Sequence, residues 1–265
     1  MTKYPKVKNV ELTQLIWGGE SYDFIGDIHG CYNTLIDLLK KLDYSYDDKT
    51  ECWIHESKRI PVFLGDLVDR GSMSFEVIDL VMKMLNNNLA KYVPGNHCNK
   101  LYRYLKGNNV KIGTNLKVTL SQFEIRKTNN EVETNKVLDN FLLYVDNCDY
   151  HLILDKGNVI AVHAATDSEH VGVHNRKTKE KNIYGFLNKE KTDEKGRPLR
   201  IPTHDIYNGK ALVVHGHIAN ENPIFKNNVL DIDTGCGTKD GKLTAFRYPE
   251  GNFVESKVID HIVES

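Results

Sequence analysis

Residues 60–71 read IPVFLGDLVDRG, a short apolar run that ends at Gly65 and Asp66 and continues into a second carboxylate and an arginine. Apolar residues at helical spacing follow, from Val77 to Leu85. A strand that leads through a glycine turn into a helix is the repeating unit of α/β proteins. The segment therefore predicts a strand–turn–helix unit whose polar residues lie at the carboxyl end of the strand.

The same arrangement occurs twice more in the first hundred residues. Residues 22–30 read YDFIGDIHG and precede a helical pattern, and residues 92–98 read YVPGNHC and precede a shorter one. Alternation of strands and helices predicts a parallel sheet. From residue 151 onward, β-branched runs separated by Gly, Asn and Asp predict a second sheet packed on the first.

The remaining segments complete the predicted organisation. Residues 115–147 have a mostly helical pattern, whereas residues 176–200 contain nine basic and four acidic residues and are predicted to form a long exposed loop with a short helix. The first strand signal begins after Gly18 and Gly19, so residues 1–20 are interpreted as an N-terminal extension of unknown role. Residues 21–265 are interpreted as a single domain.

Composition and charge exclude several classes of protein. The net charge is −1, so no overall basic field exists to bind nucleic acid or an anionic membrane, and no stable nucleic-acid partner is expected. No apolar run reaches the roughly 20 residues of a membrane span. The five cysteines are widely spaced and include no CxxC pair, which favours a reducing compartment. We expect a cytoplasmic protein without a membrane partner.

Side chains of metal-ligand types follow the predicted strands in both halves of the chain. A single Asp at a strand end is usually a helix cap, and a single His is more often structural than a ligand. Together, however, these residues would meet at the one edge where the carboxyl ends of parallel strands lie. Carboxylate, imidazole and amide groups suit Mn²⁺, Fe²⁺ or Zn²⁺. The candidate ligands are Asp27, His29, Asp66, Asn96, His163 and His217.

This set of ligands is large enough for two ions. Two divalent ions about 3.5–4 Å apart can share one carboxylate and one hydroxide, which provides a nucleophile for phosphoryl transfer at neutral pH. Asp66 is the candidate bridging ligand, and Arg70 offers a bidentate guanidinium for phosphate oxygens. Mn²⁺ is the favoured ion, with Fe²⁺, Zn²⁺ and Ni²⁺ as alternatives. The first ion is assigned to Asp27 and His29, and the second to Asn96, His163 and His217.

The motifs GDIHG, GDLVDRG and GNH, followed by two isolated histidines, resemble the signature of the calcineurin-like metallophosphoesterases, in their phosphoprotein-phosphatase branch. The resemblance implies an α/β fold with α+β character, in which two mixed β-sheets form a sandwich flanked by helices. It also implies that Asn96 is a metal ligand and that His97 is the general acid that protonates the leaving oxygen. Asp69 would orient His97.

A longer stretch, GNHCNKLYRYLKGN, is similar to the PrpE-type bis(5'-nucleosyl)-tetraphosphatases, as are IDTGC and LTAFRYPE near the C-terminus. This resemblance implies hydrolysis of diadenosine tetraphosphate or a related nucleoside polyphosphate through a metal-bridging hydroxide. A protein Ser/Thr or Tyr phosphatase is the alternative, because the same centre serves both reactions. A non-catalytic regulatory module on this fold is a further alternative, and the number of costly polar groups at one edge argues against it.

Three smaller features have two interpretations each. Arg176 and Lys177 lie nearest to the position where related sequences place a second phosphate-binding residue; they are candidate substrate-binding residues or part of a solvated surface. His215 stands where those sequences have Tyr, and is interpreted as a plain replacement rather than a third imidazole near the second ion. Cys31 and Cys98 are interpreted as small buried residues rather than oxidation sensors.

Overall fold

The computed structural model describes residues 18–263 except residues 193, 195 and 197, so most of the predicted N-terminal extension lies outside the described residues. The helices are α1 (Tyr32–Lys41), α2 (Ser74–Asn86), α3 (Asn96–Leu105), α4 (Thr114–Asn147) and α5 (Arg176–Tyr184). The strands are β1 (Tyr22–Ile25), β2 (Tyr44–Asp47), β3 (Cys52–His55), β4 (Ile60–Phe63), β5 (Lys91–Tyr92), β6 (His151–Leu154), β7 (Val159–Val162), β8 (Phe186–Thr192), β9 (Pro198–Ile201), β10 (Leu212–His215), β11 (Ile224–Lys226), β12 (Val229–Asp231), β13 (Lys242–Tyr248) and β14 (Asn252–Lys257).

Two mixed five-stranded sheets form the centre of the fold. The first has the order β14-β13-β1-β4-β5, with β1, β4 and β5 parallel and the other pairs antiparallel. The second has the order β11-β12-β10-β7-β6, with β12, β10 and β7 parallel. In the first sheet Phe24 lies opposite Val62. The predicted parallel strands and the predicted second sheet are both confirmed.

The two sheets pack face to face through an apolar layer. Phe24 and Val62 of the first sheet belong to the same buried cluster as Val159 and Val214 of the second. Ile25, the neighbour of Phe24 along the strand, packs instead in the cluster formed with the helices. Successive side chains of a strand face opposite sides of a sheet, so β1 is buried on both faces, and all four of its residues, Asp23 included, are buried.

Residues 176–200 differ from the predicted long loop. They form α5 and then a hairpin of β8 and β9, in which Phe186 lies opposite Ile201. Asn175 caps the helix by accepting a hydrogen bond from the backbone N–H of Thr178 (2.9 Å). The loop prediction was wrong because the hairpin has no buried face with regular apolar alternation. Backbone pairing and the packing of its ends stabilise it instead.

The helical prediction for residues 115–147 is confirmed, since α4 covers them with a kink at Asn130 (φ −155°). Helix α3 begins at Asn96, four residues before the predicted helical pattern, so the GNH motif forms its first turn. Polar residues recur along α4. Within the part of the chain that the structure describes, none of the helices has both the length and the apolar character needed to span a bilayer.

Candidate metal centre

The carboxyl ends of five parallel strands, three from the first sheet and two from the second, meet at one edge of the sandwich. Each end places one or two polar side chains there, because each strand is followed at once by a turn. All six predicted ligands lie in this cluster. They are Asp27 and His29 after β1, Asp66 after β4, Asn96 after β5, His163 after β7 and His217 after β10.

Asp66 lies at the centre of the cluster. Its Oδ2 is 4.0 Å from Nε2 of His29 and 3.5 Å from Nε2 of His163. Two groups of potential ligand atoms, each within 4.8 Å of one another, share this carboxylate: His29, Asp66 and His97 in one, and Asp66, His163 and His217 in the other. A carboxylate shared by two adjacent groups is the arrangement that a bridging ligand requires.

The hydrogen bonds of two imidazoles fix which nitrogen faces the centre. Nδ1 of His29 donates to the carbonyl of Val68 (3.1 Å), and Nδ1 of His163 donates to the carbonyl of Leu64 (2.8 Å). A carbonyl oxygen only accepts, so in a neutral imidazole Nδ1 carries the proton and Nε2 presents a lone pair. A backbone partner of this kind orients metal-ligating histidines in other proteins.

The lone pair of His163 therefore faces two acceptors and one ring nitrogen. Its Nε2 lies 3.1 Å from Oδ1 of Asn96, 3.5 Å from Oδ2 of Asp66 and 3.1 Å from Nδ1 of His217, which can donate to it. Nε2 of His217 is buried and has no hydrogen-bond partner among the described residues. Buried acceptors that face one another repel unless a cation lies between them. The residues present therefore fit divalent cations, which these nitrogen and oxygen donors can coordinate.

The pKa values of three imidazoles of the cluster, those of His29, His163 and His217, are lowered, which favours the neutral form. Burial, together with the positive charge of Arg70, lowers the pKa of His29 to about 3. Burial, with His163 and Arg200 nearby, lowers the pKa of His217 to about 2, and burial also lowers the pKa of His163. A histidine must be neutral to bind a metal. These three side chains are therefore already in the ligating protonation state.

The pKa values of the two carboxyl groups in the cluster are shifted in opposite directions. Burial and the nearby carboxylates of Asp233 and Asp66 raise the pKa of Asp27 well above its usual range. Burial acts in the same direction on Asp66, but its imidazole neighbours, led by His163 and His97, outweigh it and hold the pKa of Asp66 low. Without a cation, the centre cannot carry both negative charges without cost.

His97, Asp69 and Thr119 form a chain of three hydrogen-bonded side chains. Its Nδ1 lies 2.6 Å from Oδ2 of Asp69, and Oδ1 of Asp69 accepts a hydrogen bond from the hydroxyl of Thr119 in α4 (2.7 Å). Burial disfavours the imidazolium, yet the charges of Asp66 and Asp69 outweigh it and raise the pKa of His97. The side chain is 19% exposed. His97 is thus a cluster imidazole that favours the protonated form and reaches solvent.

The first turn of α3 explains the glycine of the GNH motif. The backbone N–H of His97 donates to Oδ1 of Asp66 (2.9 Å), so a side chain from another strand caps the free end of this helix. A Cβ atom on Gly95 would overlap Oδ1 of Asp66. Gly95 is therefore required for the close approach of Asp66, and the positive end of the helix dipole stabilises that carboxylate.

Five residues of the site have a backbone conformation that L-residues seldom adopt. The φ angles are +49° for His29, +35° for Asp66, +74° for Asp69, +67° for Arg70 and +79° for His217. Strained backbone of this kind concentrates where surrounding structure holds a functional side chain in place. The tight turns after β1, β4 and β10 direct several side chains toward one point, and the unfavourable backbone conformation is the free-energy cost of doing so.

The structure treats the predicted phosphate-binding residues differently. The guanidinium of Arg70 is close enough to lower the pKa of His29 and to oppose the protonation of His97, and it forms no ion pair within the described chain. The Arg176 side chain is 92% exposed and pairs with Glu180 (3.0 Å), and Lys177 is also exposed. Neither joins the cluster.

Three residues near the cluster were missed by the sequence reasoning. Arg200, in β9, borders the same cavity as His217, and its charge contributes to the lowered pKa of that histidine after burial and His163. Asp233 is buried beside Gly216 and Asp27, and burial raises the pKa of Asp233 to about 6. Thr119 comes from a distant helix. The IDTGC similarity was the available signal for Asp233; Thr119 had none.

The structure also shows the positions of His215 and of the two cysteines that follow the strand-end motifs. His215 lies outside both ligand groups, and its Nδ1 donates to the carbonyl of Gly216 (3.0 Å). Cys31 and Cys98 are completely buried, as the preferred interpretation predicted. The Cys98 sulfur accepts a hydrogen bond from the backbone of Leu67 (3.1 Å), and burial raises the pKa of that thiol, which opposes thiolate chemistry.

Comparison with known proteins gives the same fold. A solved structure of a candidate diadenosine tetraphosphatase matches with a TM-score of 0.59 and 20% identity, over 96% of this chain and 98% of that one. A Ser/Thr phosphatase from Saccharomyces cerevisiae matches with a TM-score of 0.53 and 15% identity, over 93% and 81% of the two chains. At these identities the likeness concerns the fold alone, and it confirms the predicted architecture.

Comparison of sequences goes further. This chain is 40% identical over 231 residues to the PrpE bis(5'-nucleosyl)-tetraphosphatase (asymmetrical) of Anoxybacillus flavithermus, with 86% of this chain and 91% of the relative covered. The family profile of the calcineurin-like phosphoesterases matches residues 21–242. The predicted resemblance is confirmed. The chain belongs to the calcineurin-like phosphoesterase family, a family of metal-dependent hydrolases.

Proposed function

We propose that this protein hydrolyses nucleoside polyphosphates such as diadenosine tetraphosphate at a centre that holds two divalent ions. The observation that carries the proposal is the convergence of buried lone pairs on Asp66, next to the imidazole of His97, whose pKa the charges of Asp66 and Asp69 raise. The substrate class follows from the relative named as a tetraphosphatase, which is 40% identical over most of both chains.

The residues divide into two ligand sets with one shared member. Asp27 and His29 would hold one ion together with Asp66, whereas Asn96, His163 and His217 would hold the other together with the same carboxylate. When bound, such ions lower the pKa of a water molecule and neutralise phosphoryl oxygens. Mn²⁺ suits the mixed nitrogen and oxygen donors, with Fe²⁺, Zn²⁺ and Ni²⁺ as alternatives.

The remaining residues act on the substrate. Arg70 carries a guanidinium without an ion-pair partner in the described chain, and it would bind two phosphoryl oxygens in bidentate fashion. His97 would donate a proton to the departing oxygen, because Asp66 and Asp69 favour its cationic form. Asp69, held by Thr119, would keep the His97 ring oriented during this transfer. Arg176 and Lys177 would take no part, since both lie on the exposed helix α5.

Location and organisation are also proposals. All five cysteines are unpaired and four of them are buried, which favours a reducing compartment such as the cytoplasm. We treat residues 21–265 as one domain. The preceding segment ends against this domain, where the backbone N–H of Gly18 donates to Oδ2 of Asp155 (2.9 Å).

The test compares three substrates on the protein loaded with Mn²⁺. The values of kcat/KM are measured for diadenosine tetraphosphate, a phosphoserine peptide and p-nitrophenyl phosphate, and the nucleotide products are separated by ion-exchange chromatography. We expect the dinucleotide to have the highest kcat/KM and to give AMP and ATP in equal amounts. ADP alone would show symmetrical cleavage and contradict the proposed cleavage mode.

Two controls give the comparison its meaning. Asp66→Asn, measured in parallel, should lose activity on all three substrates and lose bound metal, which excludes a contaminating phosphatase. A higher kcat/KM for the phosphopeptide would establish the protein-phosphatase alternative instead. A wild-type protein that binds metal but hydrolyses none of the three substrates would support a non-catalytic module.

A further inference from the structure

A cavity lies directly beside the metal cluster, on the side of the second sheet. Its apolar lining includes Ala164, Ala165, Phe186 of the hairpin, Ile218 and Ile224. Its volume is about 110 Å³, several times the ~10–15 Å³ that one water molecule needs in such a measure. The cavity therefore has room for a flat apolar group of ring size, and mostly apolar walls with few polar groups are typical of ligand sites.

The polar atoms at the cavity include an imidazole that the proposed reaction does not use. Nδ1 of His215 donates to the carbonyl of Gly216 (3.0 Å), so Nε2 presents the lone pair. Nε2 has no hydrogen-bond partner among the described residues. It is also not one of the fully enclosed unpaired atoms, so it is open to the cavity that His215 lines.

Asn220 adds a second acceptor to the same cavity. Its amide nitrogen donates to the carbonyl of Ile218 (2.6 Å) and to Oδ2 of Asp231 (3.0 Å). Since a carbonyl cannot donate, this pattern fixes the orientation of the amide and leaves Oδ1 as an acceptor. Beside the carboxyl group of Asp231, which also lines the cavity, the acceptors include His215 Nε2 and Asn220 Oδ1, and this set favours a flat ring that carries an amino group.

The position of the cavity links such a ring to the metal cluster. His217 belongs to the second ligand group and also lines the cavity, and Ala164 directly follows His163. Arg200 stands at the junction, held by a hydrogen bond from its guanidinium to the carbonyl of Tyr184 (2.6 Å). A ligand that spans both regions would need a ring at one end and phosphate near the metals and Arg200.

We propose that this cavity binds the adenine base of the nucleotide whose phosphate is attacked, with the amino group donating to His215 Nε2 and Asn220 Oδ1. The proposal rests on the proposed function, because it names the part of that substrate which the cavity selects. It accounts for an imidazole that lines a mostly apolar cavity. It also gives the β8–β9 hairpin a role in binding, because Phe186 would pack against the ring.

The first test uses AMP, IMP and ribose 5-phosphate as competitive inhibitors of p-nitrophenyl phosphate hydrolysis by the full-length protein loaded with Mn²⁺. IMP replaces the amino group with a carbonyl and so removes the donor. We expect AMP to bind about tenfold more tightly than IMP, since a hydrogen bond that leaves an unpaired acceptor when lost is worth about 1–3 kcal/mol. Ribose 5-phosphate should bind more weakly than either. Equal inhibition constants for all three would overturn the proposal.

The second test alters the cavity. Ala165→Leu fills it and Phe186→Ala widens it, and each should abolish the preference for AMP over ribose 5-phosphate. Leu187→Ala is the matched control, because Leu187 follows Phe186 in β8, is 47% exposed and does not line the cavity. It should keep the wild-type preference. An unchanged preference in both cavity variants, with metal content and melting temperature preserved, would overturn the proposal.

The proposed substrate and the proposed base site can be contradicted separately. A protein that does not hydrolyse diadenosine tetraphosphate but still prefers AMP in the competition would lose its proposed substrate and keep its base site. A phosphopeptide with an apolar neighbouring residue that inhibits more strongly than AMP, with this advantage lost in Ala165→Leu, would assign the cavity to a peptide side chain and contradict the proposal. Calorimetric titration with AMP repeats the comparison without turnover.

Discussion

Two buried aspartates four residues apart in the chain have opposite environments. Asp23, within β1, accepts hydrogen bonds from Tyr44, Arg59 and Arg247, with Arg59 binding both carboxylate oxygens. Asp27, just beyond the end of β1, accepts one backbone N–H at 3.2 Å and lies close to further carboxylates. Both are nearly inaccessible to solvent. Two arginines pair with Asp23, whereas no lysine or arginine of the described residues forms an ion pair with Asp27.

This difference separates a structural charge from a functional one. A buried carboxylate requires compensation, and arginine side chains provide it completely at Asp23. At the strand ends, Asp27 and Asp66 lie near the imidazoles of His29 and His163, whose pKa values are lowered. Among the described residues no lysine or arginine forms an ion pair with Asp27, whereas Arg59 and Arg247 both pair with Asp23, and this difference sets the candidate metal centre apart.

The largest expected effect comes from removing the shared carboxylate. Asp66→Asn should lower kcat/KM about 10³-fold or more, because metal ions supply several kcal/mol of transition-state stabilisation. Metal content, measured by atomic emission, should fall with it. The metal-free variant should unfold within a few degrees of metal-free wild type, because the amide oxygen that replaces the carboxylate can still accept the hydrogen bond from the backbone N–H of His97.

Asp139→Asn, at an exposed carboxylate of α4, is the control and should keep both activity and metal. A melting temperature of metal-free Asp66→Asn well below that of metal-free wild type would show that Asp66 is structural in the manner of Asp23, and the comparison would break.

The second effect concerns stability alone. Asp23→Ala leaves the buried Arg59 and the half-buried Arg247 without this carboxylate and should lower the free energy of unfolding by about 3–5 kcal/mol, as measured by urea denaturation. Glu250→Ala removes the exposed partner of Arg59 and should cost less than about 1 kcal/mol. Similar losses in both variants would show that Asp23 is not the centre of this network.

The third effect links the two regions through metal addition. Mn²⁺ at about 100 times its dissociation constant should stabilise the metal-free protein by about 2.7 kcal/mol. Thermal unfolding with and without Mn²⁺ should show this shift for wild type and for Asp23→Asn, but not for Asp66→Asn. An Asp23→Asn protein that folds but no longer responds to Mn²⁺ would mean that the two aspartates are coupled.

The smallest effect concerns the orientation and pKa of His97. Asp69→Asn removes a charge that raises this pKa, so the proton-donating form should be lost at lower pH. The basic limb of the pH profile of kcat/KM should move to lower pH, and activity at pH 8 should fall about 10–100-fold. Thr119→Val keeps the charge and removes one hydrogen bond, so it should lower activity less and leave the limb in place. An unshifted limb in Asp69→Asn would exclude His97 as the proton donor.

Much of the site could be predicted from the sequence because its residues follow strands in short motifs. Asp27 and His29 share one turn, and Asp66, Asp69 and Arg70 share another. The parallel strands then had to bring those turns to one edge, and the structure places all six predicted ligands there. Arg200 and Thr119 could not be predicted, since each reaches the site from an element with no strand-end signal.

The wrong loop prediction for residues 176–200 also arises from the lack of a local sequence signal. A charged segment without apolar alternation predicts a loop, yet here it pairs with itself and forms a wall of the proposed base site. Asp23 shows the converse case, because the GDIHG turn marks Asp27 as a candidate ligand but nothing in YDFI shows what compensates the charge of Asp23. The ion pairs with Arg59 and Arg247 show it only in the folded structure.

The sequence by itself determined the strand–turn–helix order, the two-sheet fold and the candidate metal-ligating side chains, because these depend on local periodicity and on turns built from a few adjacent residues. The tertiary structure decided which buried charge is neutralised by arginine, which imidazole nitrogen faces the centre, and where a cavity opens beside it. Those properties depend on distances between segments far apart in the chain, which local patterns do not contain.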